Sequence, residues 1–291
     1  MAMLALIWGG SFLAIRTALE TVPVLTSVAH RVFWAALILW ALVLFRGVPV
    51  PSNPRVWGCF LVMGLLNNVI PFSLMAWGQL HIETGLTAIL NAATAIWGVL
   101  VAALVFPDER LTLRRMLGVG LGFIGVATAI GASSIRAFDP RALAQLAVLG
   151  GTLSYALAGS WARHTLSGVS PIVAAAGMLT GASVIALPLA LAVDGTIRVG
   201  YAPDALIAIA YYSIAATALA YLLYYRILAA AGAGNLLLVT LLIPPVAIVL
   251  GAVVRGEGLP GAAYIGFMIL GIGLLILNGR PSNAWRKRLR H

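Results

Sequence analysis

The stretch ERLTLRRMLGVGLGFIGVATAIG, residues 109–131, returns in altered form as EGLPGAAYIGFMILGIGLLILNG at residues 257–279. A shift of 148 sets Glu109 on Glu257, Leu111 on Leu259, Gly118 on Gly266, Gly125 on Gly273 and Gly131 on Gly279. One offset serves all five pairs, so the chain reads as two related halves. Nearer the start of each half, a shift of 147 sets Trp8 on Tyr155 and Arg16 on Arg163, with a one-residue insertion or deletion in between. The halves are not strict copies, since Tyr155 stands against Trp8 and the second half doubles its proline at Pro244-Pro245.

Both copies of this stretch end in an apolar run, and the rest of the chain has the same character. Of 291 residues 62% are hydrophobic and 9% charged, at a mean hydropathy of +1.04. A soluble domain carries about a quarter charged residues, so lipid is the solvent for most of this chain. The same composition excludes disorder and collagen, and a single cysteine, Cys59, forms no internal disulfide. Ten runs of spanning character follow: 2–18, 24–45, 56–80, 85–106, 116–132, 143–162, 171–193, 205–228, 231–254 and 261–277. The first lacks a basic leader and a cleavage site of small residues, and is read as a span rather than a signal peptide. The expected fold class is an all-α polytopic membrane protein, ten transmembrane helices as two inverted five-helix repeats. Five is odd, so the second repeat enters the membrane from the opposite side. The expected boundaries are 1–133 for the first repeat, 134–142 for a linker, 143–279 for the second repeat and 280–291 for a basic cytoplasmic tail.

Orientation follows from the arginines. With the N-terminus inside, Arg46, Arg55, Arg110, Arg114, Arg115, Arg163, Arg226, Arg280, Arg286, Lys287, Arg288 and Arg290 lie inside, against Arg136, Arg141, Arg198 and Arg255 outside. This bias predicts cytoplasmic N- and C-termini. The basic tail is read as an anchor on anionic headgroups rather than a nucleic-acid patch. Arg16 stands one turn before Glu20 and is expected to pair with it.

The eight acidic residues, Glu20, Glu83, Asp108, Glu109, Asp139, Asp194, Asp204 and Glu257, fall at span ends or in loops. A carboxylate at mid-membrane depth commonly marks proton or cation coupling. Without one, the reading is a uniporter or exchanger built on inverted repeats, which show one site to each side in turn. An intramembrane lipid-modifying enzyme is the competing class, but His30, His81, His164 and His291 are scattered and no acidic partner follows any of them at helical spacing. No catalytic residue, metal or cofactor is expected. Gly120-Leu-Gly-Phe-Ile-Gly125 matches a dinucleotide fingerprint in form only; inside an apolar span it reads as close helix packing. Nor is an ATPase subunit implied.

Polar residues within spans are candidates for a substrate path. Thr87, Asn91 and Thr94 recur at i, i+4 and i+7 on one helical face, and Thr152, Tyr155 and Gly159 nearly so. Asn67, Asn68 and Trp77 lie in the third span and Tyr211, Tyr212, Tyr221, Tyr224 and Tyr225 in the eighth. For each Thr the competing reading is a hydroxyl bonded to its own helix, and for each aromatic near a span end a place in the interfacial belt. The expected substrate-binding set is Trp8, Ser11, Asn68, Trp77, Thr87, Asn91, Thr94, Tyr155, Tyr212 and Tyr221. A cavity lined by these groups suits a neutral or zwitterionic solute with an apolar side chain. Arg31 is the one cation at depth, and two readings stay open: bonds to carbonyls or the interface, or contact with a substrate carboxylate. Gly10, Pro71, Pro244 and Pro245 are candidate hinges, with Pro188 as another kink.

These residues resemble the EamA-type carriers of the drug/metabolite transporter superfamily. The resemblance rests on Trp8-Gly9-Gly10-Ser11-Phe12, on Arg31, on Asp108-Glu109-Arg110-Leu111-Thr112, and on Leu242-Ile243-Pro244 followed by Glu257-Gly258-Leu259. It covers nearly the whole chain, and within the family the chain looks like the YddG-type bacterial exporters of aromatic and other neutral amino acids. The resemblance implies a central cavity lined mainly by helices 1, 3, 4, 6, 8 and 9. It also implies efflux of a neutral or aromatic amino acid from the cytoplasm across the bacterial inner membrane. Another small neutral metabolite or drug is the alternative substrate.

Overall fold

The computed structural model describes residues 1–109, 111–130 and 140–278, with the side chains at 140, 225, 228–238, 241 and 278 excepted. The expected linker lies almost wholly outside these residues, as do the basic tail, Arg110, Arg136 and the matched pair Gly131 and Gly279. The described chain is helical throughout its regular structure, with no strand. In order run α1 (Ala2–Ala18), α2 (Val24–Phe45), α3 (Pro54–Gly64), the π-helix π1 (Leu65–Val69) and α4 (Ile70–Gly78). Then come α5 (Thr84–Asn91), α6 (Thr94–Val105), α7 (Leu113–Ile130), α8 (Pro140–Thr165) and α9 (Pro171–Val193). The last elements are α10 (Pro203–Ala210), the π-helix π2 (Tyr211–Leu219), α11 (Ala220–Arg255) and α12 (Gly261–Asn278). Among the described residues, seven helical segments are long and apolar enough to cross a membrane: 24–45, 54–78, 84–105, 113–130, 141–165, 171–193 and 203–224. Shorter apolar helices cover 2–18, 242–255 and 261–277.

Two stretches expected as separate spans, 205–228 and 231–254, fall in a helical run continuous from Pro203 to Arg255, of which α11 is the last 36 residues. A straight helix would separate Tyr224 from Val246 by about 33 Å. Yet the Tyr224 ring lies 6.1 Å from that of Trp8, and Val246 packs on Gly9, the next residue. The helix is therefore bent between them, and residues on both sides of the bend pack against α1.

In lipid, helices are held by close packing of small residues rather than by an apolar effect. The glycines of the repeated stretch do this work. The α-carbon of Gly118 faces the backbone of Gly273, and that of Gly125 faces Gly266 and Leu270, so α7 and α12 meet backbone to backbone. Of the dinucleotide look-alike, Gly122 and Gly125 lie in this seam while Gly120 faces open space. A second seam joins α3 to α9, where Phe60 packs on Gly177 and Gly181, and Gly64 on Ala182. Further contacts between first-half and second-half elements include α2 with α9 and π2, α1 with α10, π2 and α11, α5 with α11, and α8 with π1, α4, α5 and α6.

Charged residues sort onto two faces. The distal face carries the α1–α2, α4–α5, α9–α10 and α11–α12 connections. Here Asp194 accepts from the Thr26 amide at 2.7 Å and its hydroxyl at 2.9 Å, capping the first turn of α2. Glu257 caps α5 likewise, accepting from the Thr84 amide at 2.8 Å and hydroxyl at 2.9 Å. Carboxylates suit these positions because helix N-termini present free amides and positive dipole ends. Arg141 pairs with Glu83 at 2.8 Å and Arg255 with Glu20 at 2.6 Å. The expected Arg16–Glu20 pair does not form. Helix α1 ends at Ala18, so Glu20 sits in the turn beyond it and the one-turn spacing no longer applies; Arg16 donates instead to the Gln79 carbonyl. On the proximal face, which carries the N-terminus, Arg163 bridges to Asp108 at 2.7 Å and Glu109 at 3.1 Å. The hydrogen bond from Arg163 holds the Asp108 carboxyl below the usual carboxylate range.

Candidate functional site

Midway along the helices, π1 and π2 carry the polar residues that meet in the interior. Pro71 has no amide hydrogen to give to a carbonyl four residues back, and its ring crowds that carbonyl. The chain answers with a wider turn, in which the Ile70 amide reaches the Leu65 carbonyl five residues back. Ser154 of α8 donates to the Leu66 carbonyl at 2.6 Å, holding the widened turn from outside. In π2 the Thr217 hydroxyl closes the same five-residue span, donating to the Tyr212 carbonyl at 2.7 Å. The extra residue in each turn re-aims neighbouring side chains, and such turns gather at functional sites.

Arg31 of α2 stands at the centre, 9% exposed. Its Nε donates to the Thr217 hydroxyl at 3.0 Å, and its guanidinium carbon lies 3.8 Å over the Phe72 ring. No described carboxylate pairs with it, and Tyr155 and Tyr221 pack against the same apolar cluster as Phe72. The Tyr221 hydroxyl accepts from the Asn67 amide at 3.1 Å and the Asn68 amide at 3.3 Å. Asn68 is fully buried and its Oδ1 has no partner. Tyr212, also fully buried, shares a 3.0 Å hydrogen bond with Ser27 of α2. Tyr221 also forms part of the wall of a cleft of about 260 Å³ on the proximal side, lined by Arg46, Ser170, Ile172 and Arg226 among others. The distal helix ends are tied by Asp194, Glu257, Glu83 and Glu20, and the proximal ones by the Arg163 pairs with Asp108 and Glu109.

The structure thus brings four of the sequence-predicted residues, Asn68, Tyr155, Tyr212 and Tyr221, around Arg31. Others form a neighbouring group on α1: Trp8 donates from Nε1 to the Ala216 carbonyl at 3.1 Å, and Ser11 to the Trp8 carbonyl at 2.6 Å. At Gly10 a Cβ would stand 2.5 Å from the Tyr211 hydroxyl, which itself donates to the Ile7 carbonyl. Glycine is what lets α1 approach π2 there. The stripe Thr87, Asn91, Thr94 presupposes an unbroken helix, but α5 stops at Asn91 and α6 begins at Thr94. Thr87 and Thr94 donate to their own backbone, at the Glu83 and Asn91 carbonyls, while Asn91 keeps a buried Oδ1 without a partner. Trp77 lies at the distal end of α4, edge-on to His81 with ring centroids 5.0 Å apart. Pro71 opens the first turn of α4, and Pro244 and Pro245 lie inside α11. His30 is held by the Arg198 carbonyl and by Trp34, beside a second cleft of about 270 Å³ between α2 and α10. The residues that sequence reasoning did not single out are Ser27, Phe72, Ser154 and Thr217; a hydroxyl inside an apolar run was the available signal for three of them.

A helical chain with this many lipid-compatible segments and a buried polar centre is a multi-pass membrane protein with a polar interior. Its residues 1–131 and 142–279 match the EamA-like transporter family, and the chain belongs to that family. It is 24% identical over 279 residues to the uncharacterized transporter YvbV of Bacillus subtilis, covering 96% of this chain and 90% of that one. It is 27% identical over 297 residues to a probable terminal-alkyne amino-acid exporter of Streptantibioticus cattleyicolor, covering 96% and 92%. Protein PagO of Salmonella typhimurium is 32% identical over 119 residues, a match spanning 40% of this chain and 38% of that protein. A solved crystal structure 18% identical in sequence has the same fold at a TM-score of 0.68, over 99% of this chain and 96% of the other.

Proposed function

We propose that this transporter exports neutral amino acids, those with aromatic side chains foremost, from the bacterial cytoplasm across the inner membrane by alternating access. The observation that carries the reading is the interior cluster of Arg31, Asn68 and Tyr212, which are buried, with half-buried Asn67, Tyr155 and Tyr221. It is aromatic and amide-bearing, without a carboxylate among the described residues, and one of its members, Tyr221, lines the proximal cleft. Such a lining favours a solute with no net charge and an apolar side chain. A relative bearing the name of a probable amino-acid exporter adds support.

The chain crosses ten times, as inverted repeats over 1–133 and 143–279 joined by 134–142, with both termini and the tail 280–291 in the cytoplasm. The packing supports this, because contacts between the halves come in matched pairs. Helix α1 meets α11 as α8 meets α5 and α6, and α1 meets π2 as α8 meets π1. The two π-helices also correspond, since residues 65–69 shifted by 148 fall within 211–219. On this reading the proximal face is cytoplasmic. No carboxylate at depth is offered for a proton or sodium ion, so transport is uniport or exchange, with Gly10, Pro71, Pro244 and Pro245 as flexing points.

A counterflow assay tests this. Purified protein in liposomes, preloaded with labelled phenylalanine, is challenged with amino acids, sugars, nucleobases and phosphosugars. Exchange with neutral amino acids alone is expected; no exchange with any of them, or uphill flux driven by a pH or sodium gradient, refutes the reading.

A further inference from the structure

Three groups in the central cluster are left with unused hydrogen-bonding capacity of opposite sense. Arg31 spends Nε on Thr217 and its flat face on Phe72, and no described group accepts from its two terminal nitrogens. The Tyr155 hydroxyl makes no hydrogen bond to a described group. Asn68, 0% exposed, gives its amide hydrogens toward Tyr221 and keeps its Oδ1 without a donor. A buried cation without a counter-charge is costly, and so is a buried carbonyl oxygen without a donor. Arg31 and Asn68 do not cancel the debt between themselves, for they share no hydrogen bond.

Their placement relates them through common neighbours. Phe72, under the guanidinium, lies four residues beyond Asn68, and Tyr221, bonded by Asn68, packs against the same apolar cluster as Phe72. A guanidinium with two free donors matches the two oxygens of a carboxylate, and a lone amide oxygen matches an ammonium. We propose that Arg31 and Asn68 read the two charges of an α-amino-acid zwitterion, Arg31 taking the carboxylate and Asn68 Oδ1 the ammonium. This rests on the amino-acid reading above and assigns which end of the solute each residue holds. It also turns the unpartnered charge into a specificity device, because a solute lacking either end leaves one buried group unsatisfied. Tyr221, bonded by Asn68, also stands on the wall of the proximal cleft.

The test compares three probes on the whole protein in detergent and in liposomes: L-phenylalanine, phenethylamine without the carboxylate, and phenylpropionate without the ammonium. Binding is read by calorimetry and transport by counterflow. The wild type is expected to bind phenylalanine at least 10-fold more tightly than either analogue. Arg31→Gln loses at least 10-fold for phenylalanine with little change for phenethylamine, and Arg31→Lys restores part of it. Asn68→Ala loses phenylalanine binding with little change for phenylpropionate. Should the variants fail to fold, the wild-type series decides: phenethylamine bound as tightly as phenylalanine overturns the assignment. Undiminished phenylalanine exchange by folded Arg31→Gln overturns it too, while leaving amino-acid export standing; absence of exchange by the wild type removes the export reading itself.

Discussion

Removing the Glu257 carboxylate is expected to unlatch the distal face. Its oxygens accept from the Thr84 amide at 2.8 Å and hydroxyl at 2.9 Å, and the side chain is only 15% exposed. A hydrogen bond to a charged acceptor contributes about 1.5–3 kcal/mol. Water takes over when the face opens, so the lower bound applies, giving about 3 kcal/mol for the two bonds. At about 1.4 kcal/mol per tenfold change, Glu257→Ala raises the distal-open population on the order of 100-fold relative to the closed one. Glu257→Gln keeps an acceptor for the Thr84 amide and loses the charge, so its shift is about 10-fold. Val22, in the α1–α2 turn and 2% exposed, serves as the reporter. In a Cys59→Ser background, Val22→Cys is labelled with a membrane-impermeant maleimide added to the distal side. Labelling is expected to quicken in the order wild type, Gln, Ala. A Glu257→Ala protein that elutes normally but labels within twofold of its parent would falsify the claim that these ties set the balance of states.

Other substitutions probe the packing and the polar groups. Gly125→Ala puts a Cβ 2.8 Å from the Leu270 Cα across the α7–α12 seam and is expected to cost about 1–3 kcal/mol, seen as a lower melting temperature in detergent. Gly120→Ala, facing open space one turn away, is expected to cost nothing. Tyr212→Phe strips buried Ser27 of its partner and is expected to destabilise by about 1–3 kcal/mol in the same measurement. Asp108 has its carboxyl lowered by Arg163, so its pairing is present above the ordinary carboxylate range and persists as pH falls into it, lost only lower still. In Arg163→Gln the Asp108 carboxylate infrared band is expected to disappear at a higher pH than in the parent.

Composition and periodicity carried the helical, lipid-facing character of the chain, because apolar runs near 20 residues have few other solutions. The glycines of 109–131 and 257–279 were legible as marks of a repeat, and those of 120–125 as packing residues; Gly118 meets Gly273 and Gly125 meets Gly266. The site was legible only in pieces. Asn68, Tyr155, Tyr212 and Tyr221 stood out as polar groups in apolar runs, but the argument from 3.6-residue spacing assumed regular helices. Two π turns and the break after Asn91 violate that assumption, and a one-residue insertion in a turn leaves no mark in hydropathy. Pro71 was a visible cause for one of them, read as a hinge rather than as a change of helix type. The Arg16–Glu20 pairing failed for a similar reason, since the helix end after Ala18 lies within the reach of the rule. Caps given by Asp194 and Glu257 to helices of the other half were not legible at all, because they join residues 168 and 173 positions apart.

A π turn holds one residue more than the α turn it replaces, so the segments on either side of it are out of phase by one residue, about 100° of rotation. The interior groups of π1 and π2 sit at these phase steps, Asn67 and Asn68 in one and Tyr212 and Thr217 in the other. Passing the surplus residue along by a single turn rotates those side chains about the helix axis while both helix ends stay anchored. An interior lined from two such steps can be reshaped by local rewinding, without the long helices having to swing as rods.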